Sequence, residues 1–268
     1  MPIVQGGMGV GVSLAGLASA VANQGGVGVI SSAGLGAIYN NYSKDYRTAS
    51  IWGLKEELRK AREATKGIIG VNVMVAMSNF ADMVKTAIAE KADIIFSGAG
   101  LPLNLPSFLT EDAKTKLAPI VSSARAAKVL CQKWFSEYKY IPDAIVVEGP
   151  KAGGHLGYKA DQIADEHYSL EAIVPQIVAE VRAFEAEHNC RIPVIAGGGI
   201  YMARTSTASW RWAPTACRWG RASSPPTSAT PIRLSSRATS RRTRRTSRSS
   251  KALSACRAGP SATRSSTA

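Results

Sequence analysis

The chain lacks any run of 18 apolar residues, so no membrane-spanning helix is expected. Met1 is followed at once by Pro2, Ile3 and Val4, without the basic stretch that opens a secretory signal. Cysteine is sparse. Cys131, Cys190, Cys217 and Cys256 include no C-x-x-C pair and read as incidental thiols of a reducing, cytoplasmic protein without a metal site. Histidine is sparser, with only His155, His167 and His188. Acidic residues are missing altogether from 202–268, a segment that carries 14 of the 33 Lys and Arg. The first 201 residues therefore hold 19 residues of each sign, and the formal charge of +14 belongs to the tail alone. A neutral body argues for a small-molecule partner and against nucleic acid or a membrane surface. Taken alone, the Arg- and Ser-rich tail has the composition of a nucleic-acid-binding arm, which is the competing reading.

What is present is alternation. Short apolar runs occur at Pro2–Gln5, Val27–Ile30, Ile68–Met74, Asp93–Ser97, Pro119–Ser122, Ala144–Glu148 and Pro193–Ala196. Each suits a strand buried on both faces. Between them lie helical patterns. Ser13 reads as an N-cap before Leu14, Leu17, Ala18 and Val21, and Ile51–Ala64, Asn79–Lys91, Ala124–Tyr138 and Leu170–His188 follow. Strand–helix alternation implies a parallel sheet. Seven units fit an α/β TIM (β/α)8 barrel that is incomplete at its C-terminal end, with a doubly wound sheet as the alternative. The domain reading is a barrel over 1–201, lacking its last unit, and a tail over 202–268 that is too polar to fold.

The tail also reads as a slipped frame. If each codon starts one base early, Ala203–Trp212 permits GEDIYRFMAL and Ala213–Gly220 permits GADGVQMG. The segment from Arg221 then permits TRFVTT. One shift thus restores acidic residues, a helix and a last strand.

Barrel chemistry sits where strands end. The glycine-rich and polar segments fall there: Gln5-Gly6-Gly7-Met8, Asn72, Ser97-Gly98-Ala99-Gly100, Gly153-Gly154-His155 and Gly197-Gly198-Gly199. Glycines let main chain approach a flat ligand, though Gln5 to Met8 also suits a plain tight turn. Asn72, in an apolar strand, must find hydrogen bonds from a ligand or from a neighbouring strand. His155 sits among glycines at a strand end, and imidazole suits proton transfer near neutral pH. His167 and His188 lie in charged, helix-flanking contexts and read as solvated surface residues. A glycine turn after the seventh strand is where barrels commonly hold a phosphate.

Five segments together resemble the nitronate monooxygenase (2-nitropropane dioxygenase) family: PIVQGGMG at Pro2–Gly9, GVNVM at Gly70–Met74, SGAG at Ser97–Gly100, VEGPKAGGHLG at Val147–Gly157 and PVIAGGGI at Pro193–Ile200. The resemblance implies an FMN-dependent barrel that oxidises alkyl nitronates with O2 to a carbonyl compound and nitrite. It implies that Gln5, Gly6, Gly7, Met8 and Asn72 line the flavin ring and ribityl chain. Gly153 and Gly154 would approach the cofactor, Gly198 and Gly199 would help hold the FMN phosphate, and His155 would be the catalytic base. A flavin-dependent enoyl-acyl-carrier-protein reductase using NAD(P)H, with a similar AGGH segment, is the nearest alternative.

Overall fold

The computed structural model describes residues 3–200 and the strand 216–219. Eight strands form one parallel sheet: β1 (Ile3–Gln5), β2 (Gly28–Ser31), β3 (Ile69–Met74), β4 (Ile94–Gly98), β5 (Lys116–Val121), β6 (Ile145–Glu148), β7 (Val194–Gly197) and β8 (Ala216–Trp219). Pairing runs in sequence order from β2 to β8, and β8 then pairs with β1. A bridge from Val4 to Val27 joins β1 to β2, so the sheet closes on itself. Among the described residues six α-helices cover it: α1 (Ala15–Ala22), α2 (Leu35–Ile38), α3 (Tyr46–Ala64), α4 (Phe80–Ala89), α5 (Ala124–Tyr138) and α6 (Leu170–His188). The fold is an α/β TIM barrel, incomplete at its C-terminal end: among the described residues no helix follows β7. All these elements fall in the unit Met1–Pro225, and the second unit, Pro226–Ala268, lies outside the described residues.

The eighth strand corrects one expectation. The sequence reading leaves that place empty, whereas Ala216–Trp219 fills it and pairs on both sides. These residues share codons with the stretch that reads GVQM in the shifted frame. The rest of the tail, which the sequence predicts to be disordered, lies outside the described residues.

The two cores follow from strand alternation. One set of side chains, including Val71, Val73, Ile95, Leu117, Ile145, Val147, Val194 and Ala196, packs outward against the helices. The other set, Val4, Val29, Phe96, Ala118, Ala144, Val146 and Ile195, fills the barrel interior. Close approach between layers requires glycine at one point in particular. A Cβ on Gly28 would lie 2.0 Å from the Ala18 carbonyl oxygen, so α1 rests directly on β2.

The N-terminal face of the barrel is tied by aspartates. Asp93 accepts from Ile69 N at 2.7 Å and Asp143 from Leu117 N at 2.9 Å. Each bonds an N–H at the start of a neighbouring strand and also meets a cation, Arg62 or Lys116. This face therefore serves stability, which leaves the opposite rim for chemistry.

Helix ends mostly obey local rules. Asp45 accepts from Thr48 N at 2.8 Å and starts α3, while Ser123 and Ser169 cap α5 and α6. Ser13 does not cap α1 as expected. Leu14 holds the cap position, and Ser13 turns inward to the preceding loop.

Candidate active site

Strand alternation carries the inward-facing set one layer beyond the apolar plug. Above Val29, Phe96, Val146 and Ile195 stand Ser31, Gly98, Glu148 and Gly197, and Asn72 takes the same inward phase on β3 between outward Val71 and Val73. The C-terminal mouth thus has an apolar floor, polar walls on β2, β3 and β6, and bare main chain on β4 and β7.

Gln5 ends β1, and its carboxamide is consumed within the protein. Nε2 donates to Ser13 Oγ at 2.9 Å and to Val29 O at 3.0 Å, while Oε1 accepts from Val29 N at 3.2 Å. Main-chain bonds between β1 and β2 end at Gln5 N–Val27 O, so the side-chain amide takes the place of the next peptide group. Ser13 Oγ also accepts from Met8 N at 3.0 Å and donates to Gly6 O at 3.2 Å. Gln5 and Ser13 therefore shape the Gly6–Met8 turn from behind and keep no amide N–H for a ligand. Sequence inspection singled out Gln5 but not Ser13, which carries an N-cap signature by position.

Gly7 and Asn72 are brought together. A Cβ on Gly7 would lie 2.3 Å from the Asn72 Cβ, so the turn lies flat on the asparagine. Asn72 is buried, and its carbonyl accepts from Ser32 N and Ser32 Oγ at 3.1 and 3.0 Å.

Two turns meet on the other side of the mouth. Gly198 and Gly199 both adopt left-handed φ, at 111° and 75°. A Cβ on Gly198 would fall within 3.0–3.2 Å of the Gly149 main chain, and Gly149 N donates to Gly197 O at 2.8 Å. Gly198 therefore cannot carry a side chain without moving the Gly149 turn, while a Cβ on Gly149 would press on Leu170 of α6 at 3.1 Å.

The loop after β6 then rises from the rim. Gly153 and Gly154 face open space, Gly154 at φ 95°, and His155 is exposed. The loop is fastened again just beyond. Gly157 lies against Ser122, where a Cβ would come 2.2 Å from the hydroxyl. Tyr158 Oη donates its proton to Glu148 O at 2.7 Å, with Ser122 O nearby at 3.3 Å. Burial, and then the Glu148 charge, push the Tyr158 phenol up, so it stays a donor. Tyr158 was not legible as a site residue, because a tyrosine in a polar loop carries no sequence signature.

The other histidines stand apart. His167 is exposed and bonds Asp165 at 2.8 Å, as a surface residue does. His188 departs from the solvated role expected of it. It ends α6 with its ring between Phe135 and Phe184, centroids 4.1 and 4.3 Å away, on the barrel face opposite the mouth. Among the described residues no group of three His, Cys, Asp or Glu is placed to hold a metal, and no helix is long and apolar enough to cross a membrane.

A buried acid lies behind the mouth. Glu57 of α3 accepts from Ala15 N at 2.6 Å and from the Tyr39 hydroxyl, so it caps α1 from another helix. Its position within a charged amphipathic stretch hides this role from sequence inspection.

The sequence model of the family described as nitronate monooxygenase matches residues 1–213. The chain belongs to the nitronate monooxygenase family. A curated relative, the (3aS,4S,5R,7aS)-5-hydroxy-7a-methyl-1-oxo-octahydro-1H-indene-4-carboxyl-CoA dehydrogenase of Mycobacterium tuberculosis, is 27% identical over 208 residues, covering 78% of this chain and 48% of that protein. FabK from Thermotoga maritima has a similar structure, with TM-score 0.60 and 26% identity over 82% of this chain and 57% of that one. Nitroalkane oxidase from Streptomyces ansochromogenes shares the fold, with TM-score 0.63 and 20% identity over 82% of this chain and 65% of that one. The chain spans about half the length of the curated relatives it matches.

Proposed function

We propose that this family member is a flavin-dependent oxidoreductase that binds FMN across the C-terminal mouth and oxidises alkyl nitronates with dioxygen to a carbonyl compound and nitrite. The observation that carries the reading is the pair of glycine turns at Gly149 and Gly198–Gly199, on the same rim as the Gly7–Asn72 contact, with an exposed histidine on the loop that follows β6. A planar ring needs main chain at close range and an apolar floor; the mouth offers both.

The residues fit the cofactor in distinct ways. Gly6, Gly7 and Met8 supply a flat edge, held by Gln5 from behind. Asn72 supplies a polar wall. Gly153 and Gly154 have room above them for a ligand to lie against. Gly198 and Gly199 would offer main-chain N–H groups, the usual partners of a phosphate. Bound flavin supplies the electron transfer between substrate and dioxygen.

The chain's own chemistry is proton movement and placement. His155 takes the α-proton of a neutral nitroalkane and so forms the nitronate. Its imidazole needs a partner only when substrate arrives, which suits the exposed position. The phenylalanine and aliphatic floor excludes water beneath the ring.

Titrating the purified chain with FMN tests the reading directly: flavin absorbance should shift with one site per chain, and a colourless protein refutes it. His155→Asn should depress turnover of a neutral nitroalkane at least about a hundredfold and that of the preformed nitronate far less. Equal loss on both substrates rejects the base role.

One observation supports a second reading, reduction of an enoyl thioester by NAD(P)H. The FabK likeness has the higher identity of the two structural relatives, 26% against 20%. Rapid anaerobic bleaching of the flavin by NAD(P)H would favour that reading, and no bleaching would favour nitronate oxidation.

A further inference from the structure

A phosphate dianion held only by main-chain N–H groups lacks a counter-charge, and the structure offers one that the sequence reading did not assign. Lys151 follows β6 by three residues and is exposed. Its stem lies along the glycine turn of β7: from the position of a Cβ on Gly199, Lys151 Cβ is 3.3 Å away, Cδ 3.5 Å and Cγ 4.0 Å. The side chain is therefore pressed on the turn as far as Cδ, and the ammonium lies two bonds further on. Gly199 keeps its left-handed φ of 75° beneath it.

The charge is not spent elsewhere. Lys116, Lys128 and Lys133 each meet a carboxylate within 4.0 Å, whereas Lys151 makes no ion pair among the described residues. The position is also fixed at its base. Ala152 N donates to Gly149 O at 3.1 Å, closing a turn around Lys151, and Gly149 N donates to Gly197 O at 2.8 Å, which ties that turn to the end of β7. An ammonium beside a glycine turn combines a charge with main-chain N–H donors, the two elements that an anion requires.

We infer that Lys151 and the Gly198–Gly199 turn together form the binding site for a phosphate monoester, with the Lys151 ammonium as its counter-charge. The inference deepens the flavin reading and rests on it, because FMN carries such a group and riboflavin does not. It predicts that Lys151 acts on the phosphate end of the ligand and is indifferent to the ring.

The test compares both flavins on the full 268-residue chain at fixed ionic strength. Lys151→Met keeps the stem against Gly199 and removes only the charge, and Lys151→Arg keeps the charge. Lys151→Met should weaken FMN binding about tenfold or more, the scale of one charge-assisted hydrogen bond. Riboflavin affinity should change less than about twofold, and Lys151→Arg should bind FMN nearly as the parent does. Added salt should weaken FMN binding more steeply in the parent than in Lys151→Met. Equal weakening of FMN and riboflavin, or no change in either, overturns the assignment while leaving the flavin reading intact. If the parent takes up neither flavin, the flavin reading itself fails and the assignment fails with it.

Discussion

Replacing Glu57 should separate the acid's role as a cap from any role as a charge. Its carboxylate accepts from Ala15 N and the Tyr39 hydroxyl, and its side chain is only 6% exposed. Glu57→Ala strands the Ala15 N–H, which has no water to turn to; a buried donor left unpaired costs about 1–3 kcal/mol. Loss of negative charge at the α1 N-terminus adds roughly 0.3–1 kcal/mol. Tyr39 is partly exposed and recovers solvent, so its hydroxyl adds little. Relief of carboxylate desolvation works the other way. The net loss should be about 2–3 kcal/mol. Glu57→Gln keeps an acceptor for Ala15 N and should lose only about 1 kcal/mol. Urea denaturation followed by circular dichroism at pH 7 measures both, with the slope m unchanged between variants. The reasoning fails if Glu57→Ala lies within about 0.5 kcal/mol of the parent, or if the glutamine variant is as unstable as the alanine one.

Other outcomes follow from the same geometry. Gln5→Leu strands the Val29 N–H and C=O and should lower the melting temperature by about 10 °C in a scanning fluorescence assay; an unchanged melting point contradicts the peptide-like role. Gly28→Ala drives a methyl into the Ala18 carbonyl and should cost about 3 kcal/mol in chemical denaturation. Tyr158→Phe should speed hydrogen exchange across residues 152–157 with little effect on the strands, and uniform exchange over the barrel would contradict its local role. Burial, and then Cys190, raise the Cys131 thiol from 9.0 to about 12. Its contribution to stability is full below about pH 9 and is lost as pH rises towards 12, because the unfolded thiol ionises first. The fall in urea midpoint between pH 9 and 11 should therefore be smaller in Cys131→Ala than in the parent.

Much of the architecture could be read from apolar spacing. Seven strands lie within a few residues of their expected places, and α5 and α6 have the expected bounds, because Ser123 and Ser169 are true caps. The errors have physical causes. Lys116 opens β5 as an exposed residue paired with Asp143, so an apolar scan starts that strand late. Asp45 begins α3 earlier than its charged face suggests. The eighth strand has no apolar run to announce it. At the mouth, glycines and His155 stood out because their composition is unusual for a packed barrel. Lys151 and Tyr158 did not, since each acts through a contact with another strand's loop, and Ser13 was read as a helix cap although its hydroxyl turns back to the Gly6–Met8 turn.

The β1–β2 junction sets one stretch of the barrel apart. Elsewhere the circumference is stitched by main chain, which no codon change can delete. Here two main-chain bonds, Val27 N to Ile3 O and Gln5 N to Val27 O, are followed by a last stitch from the side chain of Gln5, so the rim end of this seam depends on residue identity at a single position. A variant that unpicks it would open the cylinder beside Gly6 and Gly7, at the edge where a flat guest would rest.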